Sequence, residues 1–410
     1  MHFYFIGIKG AGMSALANIL VDLGHEVRGA DYNKKYFTED TLREKIIIDS
    51  FKDCQFDNSY FYIIGNAFKL SEVTKKIKEL EYNFMYYPEF LESFFNMKKI
   101  GVTGSHGKTT TTFLASQMIS KKINVLVGDG YGRGVVDAEY FLFEACEYQN
   151  HFLNYSYEYL VILNIDYDHP DFFKNKLDYA FAFQKAALKA EKIIVNYDDI
   201  NCRKIVHKNK ITFGFNPNSD VVMKLIDGKL NLKFDDEECN INFDFHGKYM
   251  AYNLAASFIV SYLVDEQVKK NIKPLKLPVR RMTEFSLRRD LILVNDYAHH
   301  PTEITAVLNA LKNKYEGLKL VVIYQGHTHS RTKTFCSEYV EALNIADEVY
   351  IMPTFSSVRE EDFDSWLLAD AYPAFKRYSR DLKKVLLDRA NLVIAFLGAG
   401  DIDSEFNFFK

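Results

Sequence analysis

The segment Gly104-Ser105-His106-Gly107-Lys108-Thr109-Thr110 is the richest in possible chemistry. It lies between an apolar run ending at Thr103 and a helical stretch, with the spacing G-x-x-G-K-T. This is a shorter form of the phosphate loop G-x-x-x-x-G-K-[ST], because position 102 is Val. In such a loop, backbone N–H groups surround phosphate oxygens. The lysine, here Lys108, reaches the β- and γ-phosphates of ATP, and the Thr109 hydroxyl can ligate Mg²⁺. The threonine run 109–112 is a poor helix former, so propensity does not account for it. A second glycine turn, Gly7-Ile8-Lys9-Gly10-Ala11-Gly12-Met13-Ser14-Ala15, also sits between a strand and a helix. Gly10-x-Gly12-x-x-Ala15, with Asp31 at the end of the following strand, fits the dinucleotide fingerprint. A diphosphate can rest on the helix N–H groups there, but the pattern does not separate NAD from a nucleotide-sugar.

Acidic and imidazole groups follow at strand ends. Glu144 closes the apolar run Tyr140–Phe143, and Asp166, Asp168 and His169 follow Leu160–Ile165. The carboxyl ends of parallel strands line the ligand crevice, so further metal ligands are expected there. Near the C-terminus, Asp296-Tyr297-Ala298-His299-His300-Pro301 and His327-Thr328-His329-Ser330-Arg331 both follow strands. No His-x-x-x-His helix or Cys partner accompanies them, so contacts with a nucleotide or substrate fit better than a metal cage. Gly398-Ala399-Gly400-Asp401 makes a further turn after a strand.

The elements that must position these groups alternate strand with helix. Strand His2–Ile8, a helix with Ala15, Leu16, Ile19, Leu20 and Leu23 on one face, strand His25–Ala30 and strand Tyr60–Ile64 are expected in the first hundred residues. A second unit starts at Ile100–Thr103 and continues with strands Tyr140–Phe143, Tyr159–Ile165 and Lys192–Asn196. It also includes a helix over Asp178–Lys189, a β-hairpin layer within Asp220–Phe245 and a helix from Ala251 to Leu263. Lys269–Pro278, with four lysines and two prolines, reads as a linker. Strands Leu291–Asn295, Leu318–Tyr324, Glu348–Met352 and Leu392–Leu397 make a third unit. This is βαβ grammar, hence α/β units with mostly parallel sheets. The expected domains are residues 1–98, 99–279 and 280–410.

Composition narrows the class. The chain has 410 residues, too many for one ordinary domain. Its 51 Lys+Arg against 55 Asp+Glu argue against a generally basic nucleic-acid binder. The five cysteines are odd in number and none lies in a Cys-x-x-Cys pair, so no disulfide framework or zinc knuckle is indicated. MHFYFIGIKG reads as a strand rather than a leader, and no apolar run approaches the length of a membrane span. A cytoplasmic monomer or homodimer, without nucleic-acid or membrane partners, is the expectation.

GIKGAGMS from residue 7, GNAF at 65–68, GSHGKTTTT at 104–112, FEACEYQNHFL at 143–153, NIDYDHPDFF at 164–173, NDYAHHPTEI at 295–304 and GAGDI at 398–402 together resemble the Mur ligases from end to end. The resemblance implies a Rossmann-like UDP-sugar domain, a central phosphate-loop ATPase domain and a Rossmann-like C-terminal domain. It also implies ATP-dependent formation of an amide between L-alanine and the lactyl carboxylate of UDP-N-acetylmuramate, through an acyl phosphate. By the same resemblance, Gly7, Lys9, Gly10, Gly12, Ser14 and Asp31 serve the UDP-sugar. Gly104 to Thr110 with Asn253 and Asp296 serve ATP. Thr109 and Glu144 hold one Mg²⁺ and His169 a second, while His299 and Arg331 face the acyl phosphate and amine. Two positions depart from the family pattern. The His-Asn-x-x-Asn of the adenine site reads Tyr249-Met250-Ala251-Tyr252-Asn253, and a usual proline is Gly326. Two alternatives stand beside this reading. One is an NAD-dependent oxidoreductase, which leaves the second phosphate loop unexplained, and the other a non-catalytic nucleotide-binding regulator. Loss of Lys108, Glu144 or His169 is expected to lower turnover far more than stability.

Overall fold

The computed structural model describes residues 1–54, 56–226, 228–234, 237–242, 247–270, 272–355 and 366–410. Among the described residues three sheets carry the fold. The first is parallel, in the order Ile47–Ser50, Glu26–Asp31, His2–Ile6, Phe61–Ile64, Phe84–Tyr86. Its central strand is fully apolar after His2 and buried, as a strand covered on both faces must be. The outer strands Ile47–Ser50 and Phe84–Tyr86 went unpredicted. Both are short and only half buried, so neither shows a strong period.

The second sheet runs in the order Glu237–Asn242, Lys229–Phe234, Val221–Ile226, Lys210–Gly214, Ala190–Asn196, Tyr157–Ile162, Lys98–Thr103, Tyr140–Glu144, Ile123–Leu126, Gly132–Arg133. Strand Lys98–Thr103 lies between Tyr157–Ile162 and Tyr140–Glu144, parallel to both. The phosphate loop therefore leaves the sheet with Glu144 at the end of one neighbour and Asn164 just beyond the other. The expected hairpin layer is present as Val221–Ile226, Lys229–Phe234 and Glu237–Asn242, antiparallel in sequence. Its expected end, 243–245, lies outside the described residues. Helices Lys176–Ala187 and Lys248–Val264 replace the expected Asp178–Lys189 and Ala251–Leu263.

The third sheet is Thr283–Arg288, Leu291–Asp296, Leu392–Leu397, Lys319–His327, Glu348–Phe355, Lys376–Arg377, with only the first pair antiparallel. The chain is thus α/β with mostly parallel sheets. No helix among the described residues is long and apolar enough to cross a membrane.

The described residues divide into two compact units. One holds those within 1–167, 175–243 and 252–278, the other those within 168–174, 244–251 and 279–410. The first two sheets therefore share one unit. The physical reason is a strip with glycine at every second position, 128 to 134. Gly128 and Gly130 belong to the turn that joins Ile123–Leu126 to Gly132–Arg133, and Gly130, Gly132 and Gly134 lie against helix Ala11–Asp22 and its neighbours. A Cβ at Gly132 or Gly134 would run into the carbonyl oxygens of Ala15 and Ile19, and one at Gly130 would meet the Thr41 hydroxyl at 2.6 Å. Asn18 Nδ2 and Thr41 Oγ1 each donate to the Gly130 carbonyl at 3.2 Å, and Arg43 donates to that of Gly132 at 3.1 Å. The helix is consequently buried on more than its apolar face, at Ser14, Ala17 and Asn18 as well.

Gly132→Ala is expected to destabilise this unit by about 3 kcal/mol or more, the upper range for overpacking, because a backbone carbonyl cannot swing aside. Urea unfolding read by far-UV circular dichroism checks this. A wild-type midpoint would mean that the strip lifts off the helix at little cost.

Candidate active site

The phosphate loop is held by bonds that leave its helix end open. Gly107 adopts φ +85°, a left-handed conformation that suits glycine, and helix Lys108–Met118 starts there without a side-chain cap. A Cβ at Gly107 would strike the side-chain oxygen of Asn253. Asn164 brackets the loop: its Oδ1 accepts from His106 N at 2.8 Å and its Nδ2 donates to the His106 carbonyl at 3.0 Å. Ser105 Oγ donates to the Asp166 carbonyl at 2.6 Å, and His106 Nε2 lies 3.1 Å from Asp166 Oδ2. Thr110 is buried at the first turn, and Thr111 and Thr112 are fully buried. Packing thus overrides their poor propensity.

Lys108 turns its ammonium back onto the Gly104 and Ser105 carbonyls and onto Glu147, whose Oε2 is 2.9 Å away. Glu147 is nearly inaccessible, with a side chain 2% exposed. Burial alone would lower the Lys108 pKa, but Glu147, Cys146 and Glu144 outweigh it and the net shift is upward. Glu144 accepts from Gly128 N and from the Thr109 hydroxyl. Burial, reinforced by Asp129, pushes its carboxyl above the ordinary value against the Gly128 N–H and Lys108. Thr109 and Glu144 are thus adjacent hard oxygen donors beside a phosphate loop, a set that suits Mg²⁺.

The first glycine turn has the same form in the same unit. Helix Ala11–Asp22 begins at Gly10 with no side-chain cap, so its first-turn N–H groups can receive an anion. Gly7 N donates to the Ala30 carbonyl, and Gly10 N to that of Gly7. Asp31 closes the turn, accepting from Lys9 N and Tyr32 N, each at 2.8 Å. The Lys9 ammonium is engaged with the Tyr32 and Lys34 carbonyls and with Glu39, at 3.0, 2.8 and 3.0 Å. Ser14 Oγ donates to the Ala11 carbonyl at 3.0 Å. Lys9, Ser14 and Asp31, expected at the UDP-sugar, thus stabilise the turn itself in this structure.

The remaining expected residues belong to the second unit. Arg331 and Asp168 form a buried fork, Nε to Oδ1 at 2.8 Å and Nη2 to Oδ2 at 3.1 Å. Burial by itself would raise the Asp168 pKa, but Arg331, with His169 and His300, holds it well below the ordinary value. His169 has φ +56°, donates its N–H to Asp168 Oδ1 at 2.7 Å and keeps its ring 3.8 Å from Asp168 Oδ2. His299 Nδ1 is 3.1 Å from the Tyr297 carbonyl and 3.3 Å from Glu303. Its carbonyl accepts the Tyr339 hydroxyl at 2.6 Å and that of Tyr324 at 3.4 Å. Burial, with Arg331, lowers the His299 pKa to about 3 against the pull of Glu303, so the ring is neutral near pH 7. Asp296 accepts from Met282 N and Ala298 N, each at 2.8 Å, and burial raises its pKa. Among the described residues the buried Tyr249 hydroxyl has no hydrogen-bond partner, and Met250 is buried at 1% exposure.

The structure therefore gathers Gly104–Thr110, Glu144 and Asn253 in one unit with the first glycine turn, and Asp168, His169, Asp296, His299 and Arg331 in the other. Two residues around the phosphate loop were missed. Glu147 had a legible signal, the second acid of Glu144-x-x-Glu147. Asn164 had only its place at a strand end.

Comparison with known proteins places all three regions. A model for the Mur ligase family, catalytic domain, matches residues 2–99. The Mur ligase middle domain matches 102–261, and the Mur ligase glutamate ligase domain 280–400. Among solved structures, UDP-N-acetylmuramate-alanine ligase from Thermotoga maritima superposes with TM-score 0.80 at 22% identity, covering 100% of this chain and 98% of that one. A murein peptide ligase from Psychrobacter arcticus gives TM-score 0.71 at 20% identity, covering 100% and 98%. A pseudomurein peptide ligase type C from Methanothermus fervidus gives 0.67 at 17%, covering 99% and 98%.

Proposed function

Because the chain belongs to the Mur ligase family of ATP-dependent amide ligases, we propose that it joins L-alanine to the lactyl carboxylate of UDP-N-acetylmuramate in peptidoglycan precursor synthesis. The observation that carries the reading is the pair of uncapped helix N-termini in one unit, at Gly10 and at Gly107, with Lys108, Thr109 and Glu144 at the second. One suits the diphosphate of a nucleotide-sugar and the other the triphosphate of ATP. The likeness to the alanine ligase of T. maritima over the whole chain supports the choice of substrates.

A carboxylate attacking the γ-phosphorus must overcome charge repulsion, so catalysis rests on positioning and charge neutralisation. Lys108 is the cation nearest to hand. In this reading its ammonium exchanges the Gly104 and Ser105 carbonyls for phosphate oxygens while Glu147 keeps it aligned. Thr109 and Glu144 would hold one Mg²⁺ and His169 a second, and the ions would neutralise charge on the phosphoryl oxygens. The carboxylate oxygen bonds to phosphorus and ADP leaves, giving the acyl phosphate. The alanine amine then bonds to the acyl carbon, phosphate departs and the nitrogen loses a proton. His299 and Arg331 are assigned to that second step. With its Nδ1–H directed to the Tyr297 carbonyl, neutral His299 offers Nε2 as an acceptor.

The test is to incubate the protein with UDP-N-acetylmuramate, ATP, Mg²⁺ and one acceptor at a time, following phosphate and product mass. Phosphate release should require both the UDP-sugar and the amino acid, with L-alanine the best acceptor. A preference for a tripeptide would move the assignment to a peptide ligase. Equal ATP hydrolysis with and without the UDP-sugar would sink the ligase reading.

A further inference from the structure

Tyr87 opens helix Tyr87–Phe94, and Pro88 behind it sets the backbone in place. Its side chain lies between the first glycine turn and the strand end that carries Glu144 and Cys146. On one side, a Cβ built at Gly12 would be 2.6 Å from the Tyr87 hydroxyl oxygen and 3.0 Å from the ring carbon that bears it. The phenol thus rests against the first turn of helix Ala11–Asp22, where the N–H groups are uncapped. On the other side, Cys146 and Glu144 are close enough to act electrostatically on the phenol. Among the described residues the hydroxyl has no hydrogen-bond partner. The residue is only partly buried, so the hydroxyl can donate to a ligand lying on that turn.

The bare Cα at position 12 is the second part of the observation. Any side chain there would collide with the hydroxyl, so the close approach of phenol to helix end depends on glycine. The hydroxyl therefore sits beside the first turn, whose N–H groups have no side-chain cap. We propose that the Tyr87 hydroxyl donates a hydrogen bond to the diphosphate of the bound UDP-sugar, fixing the sugar end of the substrate as it leaves the Gly10–Gly12 turn towards Lys108 and Glu144. Burial, then Cys146 and Glu144, raise the phenol's pKa, so it keeps the proton it donates. This assignment rests on the ligase reading for its ligand. Its geometry requires only a diphosphate at the glycine turn.

Tyr87→Phe keeps the ring and removes the donor. The dissociation constant for UDP, measured by calorimetry, should rise about tenfold, the scale of one hydrogen bond to a charged group. UMP, which lacks the second phosphate, should bind both proteins alike. The KM for UDP-N-acetylmuramate should rise in step, while kcat and the KM for ATP stay within about twofold. A structural role would disturb ATP and UMP binding too, so that pattern overturns the proposal. So does unchanged UDP affinity, or weakening confined to the complete UDP-sugar, which would move the contact to the sugar. Wild-type protein that binds UDP yet forms no amide would defeat the ligase reading alone, with the Tyr87 comparison still decided by UDP and UMP.

Discussion

Lys108→Ala is expected to reduce kcat by roughly 10²–10³-fold, since it removes the charge that offsets the transferred phosphoryl group. The sequence suggested that this would leave stability almost untouched, as for any side chain at a cleft. The structure changes that expectation. Lys108 is 15% exposed and its partner Glu147 only 2%, with Nζ and Oε2 2.9 Å apart. Alanine at 108 takes the ammonium away from a buried carboxylate, and breaking such a pair destabilises by about 3–5 kcal/mol. The single variant should lose both turnover and stability. The double variant Lys108→Ala with Glu147→Gln should recover most of the stability and none of the turnover. Urea midpoints beside steady-state rates separate the two effects. A single variant that unfolds like wild type would show that water, not Lys108, compensates Glu147.

Arg331→Ala should destabilise the second unit by a similar amount, about 3–5 kcal/mol, because Asp168 then stays buried without its guanidinium partner. Lysine should not restore it, having a single ammonium where the guanidinium makes two parallel bonds. The pH dependence follows from the depressed Asp168 pKa. A carboxyl whose folded pKa lies below its ordinary value of 3.8 contributes its stability fully above that value. The contribution is lost as pH falls through the folded pKa. Wild type and Arg331→Ala should therefore differ most near neutral pH and converge in acid below about 3.8. A difference that persists unchanged into strong acid would mean that Arg331 stabilises by packing rather than by charge.

The sequence alone determined a good deal. Both glycine turns could be placed between strand and helix, because glycine and apolar periodicity are local signals that survive without tertiary contacts. The alternation of strands and helices implied parallel sheets, and the joint order of motifs pointed to the family. The long central strands were legible for the same reason: a strand buried on both faces is a continuous apolar run, as in Leu392–Leu397. The short outer strands, whose burial depends on neighbours far away in sequence, were not.

Tertiary structure decided what the side chains do. Lys9, Ser14 and Asp31 are the right types for a ligand site, yet each is committed to the turn's own backbone or to Glu39, because buried polar groups take the nearest partner. Arg331 is bound to Asp168, a pairing across 163 residues that no local pattern encodes. The packing of the first two sheets into one compact unit came from glycines at alternate positions, whose meaning appears only when helix Ala11–Asp22 lies against them. Residue types and spacing specify which chemistry is available. Which groups remain free to perform it depends on the partners that folding supplies, since a buried charge or hydroxyl cannot be left unpaired without a cost comparable to a large share of the protein's stability.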